Sequence, residues 1–196
     1  MGFLVERVRR LNPVAEWLSG KGTLYRQSYS APATAASTGV LGATTQPTSG
    51  TTVVTTGITN PAVPRALQVV GNQATCTGNL VIAGVNQFGE AITDTLAISG
   101  TTPVIGVKAF KTVTSITVPT RGAASDSITV GPSPKLGLDR KISDAGAACL
   151  VASVDGTREG TLPTLNATNH TAQFNTAPNG ARNYVMYLVH EDISRG

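Results

Sequence analysis

The side chains that could do chemistry are few, and they stand apart in the sequence. The chain has two histidines, His170 and His190, and neither has a Cys, Asp or Glu at a spacing typical of a metal site or a catalytic triad. Glu191 and Asp192 follow His190, and we interpret this group as a polar chain end rather than as a metal site. The sequence contains none of the patterns GxSxG, HExxH, GxxxxGK[ST] or GxGxxG. We therefore expect no catalytic residues, no metal and no cofactor, and the protein is predicted not to be an enzyme.

The two cysteines, Cys76 and Cys149, form no CxxC pair and have no histidine at ligand spacing. We interpret both as small buried hydrophobic residues rather than as a disulfide. Residues 1–11 carry arginines where a secretory signal needs an apolar run, and no apolar stretch is long enough to cross a bilayer. We expect synthesis in the cytoplasm and no membrane partner.

Composition favours an all-β protein. Charged residues make up 13% of the chain and aromatic residues 5%, while Gly, Pro and Thr are frequent, as in short strands joined by turns. The net charge of +4 is concentrated near the N-terminus, because residues 1–30 hold five Lys or Arg and two Glu, a net of +3. Nucleic-acid binding ranks below protein binding, since aromatic residues are not interleaved with these cations.

The N-terminal region has the features of an interaction arm. Residues 3–11 place apolar side chains at helical spacing, and Asn12-Pro13 is a helix-start signal before a second short helix over residues 14–19. These helices are too short to be stable alone, so their apolar side chains need a surface to pack against. Arg and Trp are also enriched at binding hot spots. The predicted partner-binding residues are Phe3, Leu4, Arg7, Arg10, Leu11, Trp17 and Leu18.

The predicted organisation is an N-terminal arm and linker over residues 1–52, followed by a β body over residues 53–196. Residues 30–52 are small, polar and uncharged, which is typical of a linker or an extended arm. The body is predicted to be a β-sandwich or barrel of short antiparallel strands, with one or two short helices confined to the arm. Its predicted strands are residues 66–71, 79–85, 90–98, 111–118, 127–130, 147–154, 171–174 and 183–190.

Four local features of the body carry specific expectations. Phe110 lies between two lysines and should be a core residue, with Lys108 and Lys111 at the rim. Asp94 falls on the apolar face of its strand. The turn at residues 177–180 is predicted to make the last two strands a hairpin. The strand at residues 183–190 is apolar on both faces, which predicts a central strand covered on both sides or one that meets another subunit.

The middle of the chain resembles a recurrent segment of structural proteins from tailed bacteriophages. The resemblance is carried by residues 92–98, Gly100-Thr-Thr102, residues 108–118 (KAFKTVTSITV) and residues 135–138 (KLGL). It covers roughly residues 79–140 well and residues 175–189 more loosely. The family defines no catalytic residues, and residues 1–50 show no matching pattern.

The resemblance implies a virion structural protein. It is most like a capsid decoration or cement protein on the capsid surface, with the major capsid protein and further copies of itself, a trimer for example, as partners. Two alternatives stay open: a tail or head–tail connector component, and a β module that binds a host surface or carbohydrate. The second would need an exposed aromatic platform, and the single Trp lies in the arm.

Overall fold

The computed structural model describes residues 23–142 and 149–190 of the chain, and these residues contain β-strands and no helix. The predicted arm helices lie outside the described residues. The fourteen strands are β1 (Thr23–Tyr29), β2 (Leu41–Thr45), β3 (Thr52–Val54), β4 (Arg65–Gly71), β5 (Asn79–Val85), β6 (Ala91–Ala97), β7 (Val104–Ile105), β8 (Thr112–Val118), β9 (Ser127–Gly137), β10 (Cys149–Val154), β11 (Thr157–Arg158), β12 (Thr164–Asn166), β13 (Thr171–Gln173) and β14 (Tyr184–His190).

The strands form three sheets in which every pairing is antiparallel, so the predicted all-β class is confirmed. One sheet has the order β3-β8-β5-β6. A second has the order β12-β13-β9-β4-β7, with β2 also paired to β9. The third, which we call the β14 sheet, has the order β1-β14-β10-β11.

Strand alternation explains why these segments fold as they do. In β6, Asp94 and Leu96 are buried while Thr93 and Thr95 are exposed, as the period of two requires. The buried carboxylate of Asp94 accepts hydrogen bonds from the backbone N–H groups of Val107 (2.8 Å) and Lys108 (3.1 Å). A charged group inside the core is therefore satisfied by the loop that precedes β8.

The body has two apolar clusters, and β9 contributes to both. The first cluster joins β4 to β5, β6 and β8, and takes Ile128 and Val130 from the first half of β9. The second joins β14 and β10 to Leu136 near the end of β9. Prolines 132 and 134 lie between these two halves, and the register of β9 against β4 shifts between Arg65 and Leu67. The strand thus passes from one cluster to the other.

Phe110 is fully buried in the first cluster, as predicted. Its backbone forms a bridge with Arg65, in which the Phe110 N–H donates to the Arg65 carbonyl at 2.9 Å. Its ring lies over Gly84 of β5, where a Cβ atom would stand 3.0 Å from the ring. The absence of a side chain at Gly84 makes this close packing possible. Lys111 beside it is exposed and Lys108 is partly exposed, which fits the predicted rim.

Arg65 is the largest fully buried side chain, with 2% of its surface exposed. Its Nε donates to the carbonyl of Ser133 at 2.7 Å, and its Nη2 contacts the same oxygen. Nη1 donates to the carbonyl of Ala33 at 2.8 Å. Burial lowers the pKa of Arg65 to about 10, so the guanidinium still carries its charge at neutral pH. One side chain therefore ties β4 to β9 and to the segment after β1.

Residues 30–52, predicted to be a linker or an extended arm, lie along strand β9. This segment contains β2, which pairs with β9, and the Ala36 N–H donates to the Pro132 carbonyl at 3.0 Å. The close approach of this segment depends on Gly131, where a Cβ atom would clash with the Ala36 carbonyl oxygen. Pairing with β9 supplies the order that the small polar residues lack by themselves, and the strands of the body begin at Thr23.

The prediction that the last two strands form a hairpin is wrong. The turn exists, since Asn179 Oδ1 accepts hydrogen bonds from the N–H groups of Ala181 and Arg182, both at 3.0 Å. However, β13 pairs with β12 and β9, whereas β14 pairs with β1 and β10. The turn carries the chain from one sheet to another across the second cluster, where the rings of Phe174 and Tyr184 pack edge-to-face at 4.9 Å.

Candidate interaction surface

The predicted arm residues lie outside the part of the chain that the structure describes, so it brings none of them together. They are Phe3, Leu4, Arg7, Arg10, Leu11, Trp17 and Leu18. The first described residue, Thr23, begins β1, an edge strand of the β14 sheet. Any arm formed by residues 1–22 therefore enters the body at this edge.

The side chains of His170 and of the two cysteines pack against other parts of the fold. Across residues 23–142 and 149–190, no three His, Cys, Asp or Glu side chains form a group that could hold a metal ion. The His170 ring packs edge-to-face on Phe88 at 5.5 Å, and burial lowers the pKa of His170, with the charge of Lys141 adding to the effect. His170 is therefore mostly neutral at pH 7, as suits an aromatic contact.

Both cysteines are buried and free, as the sequence predicted. Cys76 belongs to the first cluster and Cys149 to the second. Burial raises the pKa of the Cys149 thiol to about 11, so the reactive thiolate is scarce at neutral pH. Both thiols are therefore shielded from solvent inside the apolar clusters.

The β14 sheet has an apolar face that points away from the second cluster. Tyr184, Met186 and Leu188 of β14 belong to the cluster, so the alternate residues Val185, Tyr187 and Val189 lie on the opposite face. The register with β1 places Leu24 opposite Val189, and the register with β10 places Val151 opposite Tyr187. We call this surface the β14 outer face; its apolar residues are Leu24, Val151, Val185, Tyr187 and Val189.

Two of these side chains are large and exposed. Leu24 has 43% of its surface exposed and Tyr187 38%, while Val151 and Val185 are half-buried and Val189 is buried, at 7%. The other large exposed apolar residues of the described chain, such as Val53 and Leu162, lie on elements outside the β14 sheet. The β14 outer face is thus a contiguous group, as is typical of interaction sites.

Two arginines stand on opposite sides of this apolar group. Arg26 of β1 lies opposite Tyr187 and is exposed. Arg158 of β11 lies opposite Ser153, which in turn lies opposite Val185, so Arg158 belongs to the same face. Among the described residues neither arginine takes part in an ion pair. The arrangement is an apolar centre flanked by two cations.

The inner side of β1 is held in place by a polar network. Gln27 is buried and its Nε2 donates to Asp139 Oδ2 at 2.9 Å, while its Oε1 accepts from the Asp139 N–H at 3.0 Å. The Tyr25 hydroxyl donates to Gln27 at 2.7 Å, and the Arg140 guanidinium lies 5.0 Å from the centre of the Tyr25 ring. Because this network fixes β1, the side chains on its outer side have defined positions.

Tyr29 gives this strand a testable pH dependence. Its hydroxyl donates to the Gly137 carbonyl at 2.8 Å, and burial, with the nearby carboxylate of Asp139, raises the pKa of Tyr29 well above its usual 10.0. Above pH 10 the unfolded chain releases this proton while the folded chain keeps it, so stability falls as pH rises. Below pH 10 the folded and unfolded states both hold the proton, so the Tyr29 hydroxyl makes its full contribution to the stability of the fold.

We expect Tyr29→Phe to lower the free energy of unfolding by about 1–3 kcal/mol at pH 8, because the Gly137 carbonyl loses its donor. Between pH 10 and 11.5 the stability of the variant should fall less steeply than that of the unmodified protein. Urea unfolding at a series of pH values measures both effects. Parallel pH curves for the two proteins would contradict the assignment of this proton to Tyr29.

Sequence reasoning found part of this surface. It identified residues 183–190 as a strand apolar on both faces, and β14 is indeed central. It missed β1, because the buried Gln27 interrupts the alternation of apolar and polar residues that marks a strand. The place of Leu24 beside the apolar residues of β14 becomes clear only from the register of the two strands.

Comparison with protein-family models, with curated proteins and with solved structures finds no match. Within the described ranges no helix has the length and apolar character needed to cross a membrane.

Proposed function

We propose that the protein is a non-enzymatic structural protein of a tailed-bacteriophage virion that decorates or cements the capsid. In this proposal residues 1–22 anchor it to the major capsid protein, and the described strands form a β-sandwich body on the capsid surface. The support is the resemblance of residues 79–140 to virion proteins, together with one structural observation: the basic, apolar N-terminal segment leads directly into edge strand β1.

The position of β1 defines where the anchor and the body meet. All seven residues of β1 pair with β14, and Tyr29 belongs to the second cluster, so a truncation that removes β1 would damage the body. Among the residues that the structure describes, no member of either cluster precedes Tyr25. The anchor can therefore be tested by removing residues 1–22 and leaving β1 in place.

Copies of the protein are expected to act together on the lattice. A closed homo-oligomer, such as a trimer, would present several anchors to symmetric sites, and linked weak contacts give an avidity well above that of a single contact. An arm that orders on contact spreads its binding over a large area at an entropic cost. Both effects suit a protein that joins a preformed shell.

Deletion of residues 1–22 should abolish binding to capsids while the body stays folded. Purified full-length and truncated proteins are mixed with particles from which the protein has been removed, and bound protein is measured by sedimentation. Far-ultraviolet circular dichroism and urea unfolding of the truncated protein control for the fold. Undiminished binding by the truncated protein would overturn the anchor role of residues 1–22.

The place of the protein in intact particles distinguishes decoration from a connector role. Decoration requires hundreds of copies spread over the shell, whereas a connector requires a dozen or so at one vertex. Electron cryomicroscopy of particles with a label fused to the C-terminus locates the copies. Label confined to the tail or to one vertex would overturn the decoration role in favour of the connector alternative.

A further inference from the structure

We propose that the β14 outer face is the body's own docking surface, and that it takes an acidic protein partner: an apolar patch flanked by carboxylates. This inference rests on the proposed function, in which the capsid lattice supplies that partner. It adds a second contact to the N-terminal anchor, located on residues of the folded body.

The first support is the chemistry of the face. Tyr187 and Leu24 are exposed, and the registers of β1 and β10 with β14 place the half-buried Val151 and Val185 beside Tyr187 and the buried Val189 beside Leu24. Tyrosine and arginine are enriched at interfaces, and Arg26 lies directly opposite Tyr187. A central aromatic side chain with cations around it is the composition of an interface centre and its rim.

The second support is charge. Of the described residues, the registers place no carboxylate on this face, while Arg26 and Arg158 flank it on two sides. A partner with carboxylates opposite these arginines would gain two ion pairs around an apolar contact, and like-charged surfaces would be rejected. The complementary surface is therefore acidic around an apolar patch.

A second copy of this chain does not offer such a surface in its described residues. Each of their six carboxylates accepts at least one hydrogen bond or forms an ion pair within the same chain, although Glu159 Oε2 has no partner. Asp94 and Asp126 are buried and bind backbone N–H groups. The other four are exposed or partly exposed: Glu90 pairs with Lys141, Asp139 bonds to Gln27, Asp155 accepts from the Asn183 N–H, and Glu159 accepts from the Thr176 N–H.

The chain's own N-terminal segment is a poor occupant for the same electrostatic reason. Residues 1–22 hold four Lys or Arg and two Glu, a net charge of +2, and would meet a face flanked by arginines. The segment also joins the body at Thr23, next to Leu24 of the face. The segment continues from the strand that carries Leu24 and has the same sign of charge as the face, which suits two parts of one interface with an acidic partner.

Three full-length variants test the proposal in the particle-binding assay. Arg26→Glu/Arg158→Glu reverses the flanking charges, and Tyr187→Ala removes the central ring. The control, Lys111→Glu/Arg121→Glu, makes the same change in net charge on segments outside the β14 sheet. Light scattering after gel filtration gives the oligomeric state of every sample, and circular dichroism confirms that each variant is folded.

We expect the Kd for particles to rise at least about tenfold for each face variant and by less than about twofold for the control. Binding of the unmodified protein should also weaken with added salt, because flanking charges are screened. Face variants that bind particles like the control would overturn the docking surface while the anchor proposal stands. Failure of the unmodified protein to bind would overturn the proposed function and this inference together.

Two further results would assign the face to another occupant and overturn the proposal. Face variants that lose self-association but keep particle binding would show that a second copy covers it. Faster iodination of Tyr187 after removal of residues 1–22 from the free protein would show that the chain's own segment covers it. Unchanged self-association and unchanged iodination are the results expected here.

Discussion

Replacing Phe110 by alanine should lower the free energy of unfolding by about 3–5 kcal/mol, the range for deleting a fully buried phenylalanine. The ring has 0% of its surface exposed and packs against Gly84, so a smaller side chain leaves a cavity over a position that has no side chain of its own. The strands around the cavity are held by backbone pairing and can close it only in part. Urea unfolding followed by circular dichroism measures the loss.

Phe88→Ala is the matched control for this change. Phe88 lies in the loop between β5 and β6, is half-buried, and packs on His170. We expect its removal to lower stability by about 0.5–1.5 kcal/mol, as for the loss of one aromatic contact. Equal losses for the two variants would mean that Phe110 is not an organising core residue.

Arg65→Lys should be strongly destabilising although it keeps the charge. Lysine cannot place donors on both the Ser133 and Ala33 carbonyls with the fork geometry of a guanidinium. At least one buried carbonyl then lacks a donor, at about 1–3 kcal/mol, and a compact ammonium is harder to keep out of water. We expect a total loss of about 2–4 kcal/mol.

Arg26→Lys provides the comparison, because Arg26 is an exposed strand residue and its replacement should change stability by no more than about 0.5 kcal/mol. Both variants are measured by urea unfolding at pH 7. If Arg65→Lys were as stable as Arg26→Lys, the carbonyl contacts of Arg65 would contribute nothing to holding β4 against β9.

The strands of the first cluster could be predicted because local pattern and tertiary environment agree there. β5, β6 and β8 alternate exposed polar or small residues with buried aliphatic ones, and their predicted bounds fall within one residue of those observed. Asp94 could be recognised as an exception in the pattern. Its partners in the loop before β8 could not, because they depend on how β6 and that loop meet in space.

Segments ordered by distant partners were not predictable in the same way. β2 is made of small and polar residues and gains its order from β9, which is more than 80 residues away in the sequence. Between its two halves β9 contains two prolines, which argue against a strand until the register shift opposite β4 accommodates them. The predicted hairpin failed because a good local turn does not determine which strands pair after it.

The candidate surface likewise combines one feature predictable from local sequence with others that depend on distant strands. The apolar run in β14 predicted a central strand covered on both sides or one that meets another subunit. The flanking arginines, Arg26 and Arg158, lie 132 residues apart in the sequence, and only the registers place them on one face. The polar network at Gln27 was hidden for a similar reason, since its partner Asp139 lies 112 residues away.

The shared strand β9 makes the body a single cooperative unit. Ile128 and Val130 stabilise one cluster and Leu136 the other, so neither cluster can melt without breaking a backbone ladder that the other also uses. Tension applied through residues 1–22 to β1 would pass through β14 and the second cluster to β9, and from there to the first cluster. In a cementing protein built this way, both apolar clusters would oppose the tension that an expanding capsid exerts.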